Sequence, residues 1–286
     1  MAEGLVKVKR RIVAVKSTQK ITNAMKLVSS IKAKRWERNF NVELTYFNEY
    51  KEIVTSTLFA NIANTEAYIE SVFLESYENA TKAIYIIVTS NLGLCGGYNN
   101  NVTRELGNVI KKEDEVILIG EKGLSYLKEK GITYNSDFIG LGKNLDLDEI
   151  NYLVDLLIEK YKSKKYHSIN IIYTKFINSV SFAPRIVKVL PLTRVEQKTY
   201  EAGPIYAPNR EIVIDFLVNK VLGANLHAYL YESLYSEESA RRNAMDNADK
   251  NANELIETLN LEYNKARQQA ITQEITEVVA GAKSVQ

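Results

Sequence analysis

The chain has 286 residues with 37 basic and 35 acidic side chains, and a net charge of +2 gives no overall attraction to a polyanion. Apolar residues make up 45% and charged residues 25%, which is typical of a globular protein and excludes a disordered one. Cys95 is the only cysteine, so the sequence excludes an intramolecular disulfide and a cysteine-based zinc site. We expect neither a membrane span nor a secretion signal, because no apolar run is long enough for either.

Helix breakers divide the chain into three parts. All four prolines lie between Pro184 and Pro208, no glycine occurs within residues 5–92, and only two glycines follow Pro208. Proline and mid-helix glycine mark places where a regular helix does not continue. The sequence therefore predicts long helices at both ends and a glycine-punctuated middle.

The first part predicts one helix over residues 5–58, about 80 Å long at 1.5 Å per residue. Its apolar residues step by three and four, which keeps them on one side of the helix. This stripe changes phase between Val15 and Ile21, which indicates a stammer in a coiled coil. The predicted stripe consists of Leu5, Val8, Ile12, Val15, Ile21, Met25, Val28, Phe40, Leu44, Phe47, Val54 and Leu58.

The last part predicts a helix over residues 209–282, about 110 Å long. Such helices are not stable alone, so we expect the two terminal helices to pair as a long antiparallel coiled coil. Alanine has the highest helix propensity and allows a neighbouring backbone to approach closely. The alanines that we expect in the core of this pairing are four apart: Ala240, Ala244, Ala248 and Ala252.

The middle of the chain alternates short β-branched runs with helical patterns, which predicts a small α/β (Rossmann-like) sheet domain inserted between the two helices. The predicted strands are residues 83–89, 115–119, 168–176 and 185–190, and the predicted helices are 102–111 and 146–165. We place the boundaries at residues 1–60 for the N-terminal helix, 61–208 for the inserted domain and 209–286 for the C-terminal helix.

The C-terminal helix is predicted to be longer than its partner by roughly 30 Å, which leaves about its last 20 residues unpaired. This end carries Ile271, Ile275, Val278 and Val279 at helical spacing. Leaving each of these side chains in water forgoes about 1.5 to 3 kcal/mol of burial free energy. We therefore expect this end to be inserted into a partner.

Five segments of the sequence resemble the gamma subunit of the rotary ATP synthase, in the same order and over nearly the whole chain. The first and last are KVKRRIVAVKSTQKITNAMKLV at residues 7–28 and LEYNKARQQAITQEITEVVAGA at residues 261–282. Between them lie GLCGGYN at 93–99, LPL at 190–192 and SEESARRNAM at 236–245.

The resemblance implies a central rotor stalk that couples transmembrane ion flow to ATP synthesis or hydrolysis. In that family the coiled coil occupies a ring of three alpha and three beta subunits. The inserted domain lies at the foot, beside the epsilon subunit and the membrane c-ring. The gamma subunit makes and breaks no bond, so we expect no catalytic residue, cofactor or metal on this chain. The implied location is the cytoplasmic face of the bacterial membrane, as a peripheral subunit.

The resemblance also implies roles for individual residues. Those matching contacts with the catch segment of a beta subunit are Arg267, Gln268, Thr272, Gln273, Met25 and Lys26. Those matching the apolar tip, which a sleeve at the top of the ring holds, are Ile271, Ile275, Val278 and Val279. Tyr206 matches a contact at the foot.

Two positions depart from the family pattern. The family commonly has an acidic and then a basic residue before the GLCGG turn, where this chain has Asn91 and Leu92, so we expect no ion pair there. Near the foot the family often has glutamate where this chain has Ala207. A carboxylate contribution to the c-ring contact is therefore not expected from this position.

Two other functions remain open on sequence grounds. Residues 1–40 carry a charge of +9, which could form a nucleic-acid arm, although residues 41–80 carry −6, which favours a charge-matched helix face. The turn at residues 93–97 could hold a nucleotide phosphate, although it lacks the glycine-lysine ending of a phosphate loop. We interpret His167 and His227 as satisfied or solvated rather than metal-binding, and Cys95 as a small buried hydrophobe.

Overall fold

The computed structural model describes residues 2–58, 61–62, 73–74, 77, 80–143, 145–192, 199–200 and 206–284. The helices are α1 (Ala2–Leu58), α2 (Tyr98–Val109), α3 (Leu124–Glu129), α4 (Leu147–Lys162) and α5 (Arg210–Ser284). The strands are β1 (Asn61–Ile62), β2 (Lys82–Val88), β3 (Glu115–Ile119), β4 (Tyr134–Asn135), β5 (Tyr166–Phe176), β6 (Phe182–Leu190) and β7 (Thr199–Tyr200). Short 3-10 turns occupy Glu121–Gly123 and Ile139–Gly142.

The chain forms two compact units. The helix-pair unit contains residues 1–29 and 241–286, and the sheet unit contains residues 30–240. The two predicted terminal helices are confirmed as α1 and α5, with ends within three residues of the predicted ones. The predicted domain boundaries remain a prediction, and residues 59–60 at the first of them lie outside the described residues.

The helices pair in antiparallel register within each unit. In the helix-pair unit, Lys26 Nζ lies 2.9 Å from Asp246 Oδ1, and Gln19 Nε2 donates to Asn253 Oδ1 at 2.6 Å. The residue numbers of both pairs add to 272, which places residue 2 opposite residue 270. In the sheet unit, Tyr235 donates its hydroxyl to Glu37 at 3.1 Å, a pair with the same sum.

The predicted stammer in α1 is wrong. The inward-facing positions of α1, which we call the seam, keep a regular alternation of three and four residues. Ile21 and Val28, predicted to lie in this stripe, are 61% and 52% exposed, and Leu44 is exposed as well. The seam residues that are buried or half-buried are Leu5, Val8, Ile12, Val15, Gln19, Thr22, Lys26, Ser29, Ala33, Trp36, Phe40, Glu43, Phe47, Tyr50 and Val54.

Polar and small seam residues explain this difference. Apolar periodicity passes over Gln19, Lys26 and Ser29, because these residues carry no hydrophobic signal. The structure satisfies Gln19 and Lys26 by hydrogen bonds to α5. A polar group in a half-buried seam is tolerated when it has such a partner.

The alanine row of α5 faces inward as predicted. Ala240 is buried at 9% exposure, and the three alanines that follow it at four-residue spacing are half-buried. The larger side chains of this stretch, Met245 and Leu259, are buried more completely.

The sheet unit contains a five-stranded sheet of order β4-β3-β2-β5-β6. All neighbouring strands are parallel except β6, which forms an antiparallel hairpin with β5. The four predicted strands are therefore confirmed. β1 and β7 form a separate two-stranded parallel pair.

Some element ends differ from the predicted ones. Helix α2 begins at Tyr98, four residues early, because its first turn is polar and carries no apolar period. Helix α4 ends at Lys162, and Lys164 beyond it has a left-handed φ of 61° that helix cannot accommodate. The short elements α3 and β4 were not predicted.

Helices cover both faces of the sheet. Alternate side chains of β2 point in opposite directions: Ile84 and Ile86 belong to the larger core and Ile87 to the smaller one. Strands buried on both faces are rich in apolar residues, as β2 and β3 are, and β5 also buries the polar residues Ser168, Asn170 and Thr174. The larger core contains Ile150, Leu153, Val154 and Leu157 of α4 with Val218, Leu222, Leu226 and Leu230 of α5, and the smaller core contains Val102 and Leu106 of α2 with Leu127 of α3.

The corrected seam predicts unequal effects of two isoleucine substitutions. Ile12→Ala should lower the free energy of unfolding by at least about 2 kcal/mol, because Ile12 is only 9% exposed. Ile21→Ala should change it by less than about 0.5 kcal/mol, because Ile21 is an exposed side chain. Urea unfolding followed by circular dichroism measures both changes. Equal losses of stability would contradict the regular seam and favour the stammer predicted from sequence.

Candidate partner-binding surfaces

The end of α5 is an exposed apolar segment, which we call the tip (residues 271–281). Every residue of the tip is exposed, including Ile271 at 47% and Val278 at 71%. The register explains this exposure, because residue 270 lies opposite residue 2 and α1 offers no counterpart beyond it. The expected unpaired end is therefore confirmed, although it is shorter than the 20 residues predicted.

The residues expected to contact the beta subunit lie next to the apolar side chains of the tip. Arg267, Ile271 and Ile275 are four apart and share one side of the helix. Arg267 and Gln268 are exposed. Thr272 donates its hydroxyl to the Gln268 carbonyl at 2.9 Å, and Gln273 donates its side-chain amide to Glu277 at 2.7 Å. The side-chain amide of Gln273 is thus engaged within the helix.

Met25 and Lys26 lie elsewhere along the helix pair. Lys26 is opposite Asp246, which is 21 residues, or about 30 Å of helix, from Arg267. The structure therefore does not bring Met25 and Lys26 together with the residues near the tip. The predicted contact set forms two separate places on the helix-pair unit.

Asp246 joins two lysines across the helix pair. Its carboxylate oxygens lie 2.9 Å from Lys26 Nζ and 2.9 Å from Lys250 Nζ. Hydrogen bonds from Lys250 and Lys26 lower the pKa of Asp246 to about 2, and the hydrogen bond to Asp246 raises the pKa of Lys26. This pairing supports the interpretation of the basic N-terminal segment as a charge-matched helix face.

A second apolar surface follows from the corrected seam. This surface was not predicted from the sequence. Within the helix-pair unit, helix α1 exposes several large apolar side chains. They are Val6, Val13, Ile21, Leu27 and Val28, each at least 46% exposed. The sequence signal for this surface was present, but the predicted stammer assigned Ile21 and Val28 to the core.

Tyr206, expected at the foot, lies just before α5. Its hydroxyl donates to the Thr57 carbonyl at 3.1 Å, and its side chain is half-buried. Ala207, where the family often has glutamate, is exposed.

The carboxyl edge of the sheet contains a polar group of residues to which the sequence had assigned no role. We call it the crevice cluster: Tyr98, Thr174, Phe176, Glu232 and Ser233. Ser233 of α5 is fully buried, with its Oγ 2.7 Å from the hydroxyl of Tyr98 and 3.3 Å from the backbone N–H of Thr174. Burial raises the pKa of Tyr98 and of Glu232, so both groups are held in a dry environment.

This cluster lies where parallel α/β sheets bind ligands. Such sheets take a ligand outside the carboxyl ends of two strands whose connections run in opposite directions, here β2 and β5. Side chains of α2 and α5 fill that place in this chain. The crevice between β2 and β5 is therefore lined by side chains that bond to one another and to β5.

The turn at residues 93–97 is a tight strand-to-helix connection. Asn99 accepts from the backbone N–H of Ser90 at 2.9 Å and donates to the Ser90 hydroxyl at 2.8 Å, which ties α2 to the end of β2. Cys95 is buried as predicted, at 2% exposure. At the two positions that depart from the family pattern, Asn91 is buried and Leu92 is 60% exposed.

Of the two histidines, His227 lies next to an acidic side chain. The Nδ1 atom of His227 lies 3.7 Å from Glu43 Oε2, and burial lowers the pKa of His227. Among the described residues, no three histidine, cysteine or acidic side chains are placed to hold a metal ion. Within the same part of the chain, no helix is both long and apolar enough to cross a membrane.

Comparison with known proteins gives one consistent result. The protein family described as ATP synthase matches residues 4–285. The chain is 40% identical to the ATP synthase gamma chain of Malacoplasma penetrans, with coverage of 98% of this chain and 99% of the relative. It is 35% identical to the gamma chain of Clostridium botulinum, with 98% of both chains covered.

Solved structures agree on the fold. A chain of the Euglena gracilis mitochondrial ATP synthase, from its OSCP, F1 and c-ring assembly, superposes with a TM-score of 0.73 at 19% identity. That match covers 100% of this chain and 95% of the other. A chain of the Euglena rotor gives 0.67 over 95% of this chain and 100% of the other.

The pairing of Asp246 predicts a pH-dependent contribution to stability. Because its pKa is lowered in the folded chain, the contribution is present above the ordinary value of 3.8 and is lost as the pH falls towards about 2. Asp246→Asn should therefore lower the melting temperature at pH 7, and its difference from the unsubstituted chain should shrink below about pH 4.

Asp249→Asn is the matched control, because it removes the same charge one turn away on α5. It should produce a smaller change in melting temperature at pH 7. A difference between Asp246→Asn and the unsubstituted chain that stays constant from pH 7 to pH 3 would contradict the assignment.

Proposed function

Since the chain belongs to the ATP synthase gamma chain family, we propose that it is the central rotor stalk subunit of a rotary ATP synthase. The observation that carries this proposal is the exposed apolar tip of α5, which continues past the end of α1. A chain acting alone would leave these side chains in water and would forgo about 1.5 to 3 kcal/mol of burial free energy for each of them. A socket in a partner removes that cost.

The proposed partners are the alpha and beta subunits of the catalytic ring, the epsilon subunit and the membrane c-ring. The similar solved chains come from a rotor and from an assembly of F1 with the c-ring. The second apolar surface, on α1, suits contact with the inside of a ring along the length of the helix pair.

Coupling by this subunit requires differential contact. A rotating stalk shifts the catalytic sites only as far as it binds their open and closed states unequally. The helix pair can bind the two states unequally, because its apolar side chains and its charges are distributed unevenly around it. ATP chemistry then takes place on the ring, and this chain supplies the force that changes its conformation.

The proposed catch contact centres on Arg267 and Gln268. Both are exposed and lie directly before the tip, so a segment that approaches the tip can reach them. An arginine forms strong paired hydrogen bonds with carboxylates, which suits the acidic catch segment of a beta subunit. Thr272 and Gln273 extend this contact by one turn. Lys26, with Met25 beside it, would contact the catch region only after exchanging its bond to Asp246.

The proposed sleeve contact is made by Ile271, Ile275, Val278 and Val279. The proposed foot contact involves Tyr206, whose ring remains accessible while its hydroxyl is bonded to Thr57. We place the subunit at the cytoplasmic face of the bacterial membrane, attached through its partners.

Reconstitution tests the proposed function directly. The chain should co-purify with alpha and beta subunits, and omission of the chain should lower the steady-state ATP hydrolysis of the ring. Steady-state turnover and phosphate release are the measurements. Equal turnover with and without the chain would contradict a rotor function.

Arg267→Ala should weaken ATP hydrolysis by the assembled ring. Loss of a hydrogen bond to a charged group costs about 1.5 to 3 kcal/mol, which corresponds to roughly ten-fold or more in turnover if the contact stabilises the limiting step. Lys265→Ala is the control, because it removes an exposed charge two residues away on the same helix. Equal turnover of the two variants would remove Arg267 from the mechanism.

A further inference from the structure

Strand β5 extends past its parallel neighbour. Its last pair with β2 joins Ile172 to Ile87, yet β5 continues for four more residues to Phe176. Over those residues β6 covers only one of its two edges. The other edge presents backbone N–H groups, and a buried N–H without an acceptor is strongly unfavourable.

Helix α5 supplies the missing acceptors with side chains. The N–H of Thr174 donates to Ser233 Oγ at 3.3 Å, and the N–H of Phe176 donates to Glu232 Oε1 at 3.2 Å. Two successive residues of a helix thus occupy the place of a neighbouring strand. Ser233 Oγ also lies 2.7 Å from the hydroxyl of Tyr98, so the same oxygen joins α2, β5 and α5.

An aromatic contact adjoins these bonds. The ring of Tyr235 stacks on Phe176 with centroids 4.3 Å apart, and its hydroxyl donates to Glu37 of α1 at 3.1 Å. Residues 232–235 of α5 therefore contact the sheet, α2 and α1 within a single helical turn.

Hydrogen bonds restrict the position of α5 on the sheet more sharply than apolar packing does. The leucines of α5 pack against the sheet, but apolar burial is non-directional and changes little when a helix shifts or turns slightly. Hydrogen bonds lose their strength steeply with distance and angle. The crevice cluster therefore adds directional constraints on the axial and rotational position of α5 at the end of β5.

We propose that the crevice cluster is the connection through which torque passes between the sheet and α5, and that it prevents α5 from slipping under load. This inference rests on the proposed rotor function and adds positioning residues to it. Tyr98, Glu232 and Ser233 hold the register of α5. When these bonds are lost, the subunit still assembles, but part of each rotation is lost as slip.

Ser236 provides a matched control one turn further along α5. Like Ser233 it is fully buried, but its hydroxyl has no hydrogen-bond partner among the residues that the structure describes. Ser233→Ala and Ser236→Ala therefore remove the same atom from the same helix at the same burial. Only the first removes acceptors from the cluster.

The test uses the complete ATP synthase in sealed vesicles. Two quantities are measured: ions pumped per ATP hydrolysed against an increasing opposing gradient, and hydrogen exchange of the peptide that contains the end of β5. Ser233→Ala should increase the exchange rate by roughly five-fold, as expected for one lost buried hydrogen bond. It should retain ATP hydrolysis but pump fewer ions per ATP as the gradient rises. Ser236→Ala should match the unsubstituted enzyme in both measurements.

Glu232 gives an independent pair of variants if Ser233→Ala does not fold. Glu232→Gln retains an oxygen acceptor for the Phe176 N–H and should preserve the pumping ratio under load. Glu232→Leu removes the acceptor at similar size and should lower the ratio.

Three results would overturn the inference: an unchanged pumping ratio in Ser233→Ala, with or without faster exchange; an equal loss in Ser236→Ala; or equal ratios in the two Glu232 variants. Failure of the rotor function itself is distinguishable from these results, because ATP hydrolysis by the ring would then be independent of the chain.

Discussion

The antiparallel register of α1 and α5 is the constraint on which the binding surfaces depend. Pairs such as Lys26 with Asp246 and Gln19 with Asn253 fix residue 270 opposite residue 2. Beyond residue 270, α5 continues past the start of α1, and the apolar side chains of the tip are exposed. A shift of one heptad in either direction would change which side chains a partner meets.

The polar content of the seam gives this register its specificity. An entirely apolar seam would permit several alignments of similar energy, because apolar contacts do not distinguish one heptad from the next. In the observed alignment Gln19 bonds to Asn253 and Lys26 to Asp246, and polar partners within a seam favour one register over others. The same placement moves Ile21, Leu27 and Val28 to the outside, where they form an apolar surface suited to a ring.

The sheet unit shows how a nucleotide-binding architecture can serve a mechanical function. Its strand order creates a crevice at the carboxyl ends of β2 and β5, which is a ligand site in other proteins with such sheets. Here Ser233 and Glu232 of α5 occupy the crevice and accept hydrogen bonds from β5. Polar groups that would bind a ligand elsewhere hold a helix of the same chain.

The sequence by itself determined the two terminal helices, the four main strands and the apolar end of α5, because these depend on local periodicity and on where glycine and proline are absent. It also carried the family resemblance. Only the tertiary structure decided that Gln19 and Ser29 lie in the seam, that Lys26 pairs with Asp246 far from Arg267, and that Ser233 joins α5 to β5. Each of these features depends on contacts between residues that are more than 50 positions apart in the sequence. A polar side chain gives no sign of its partner until folding has placed that partner beside it.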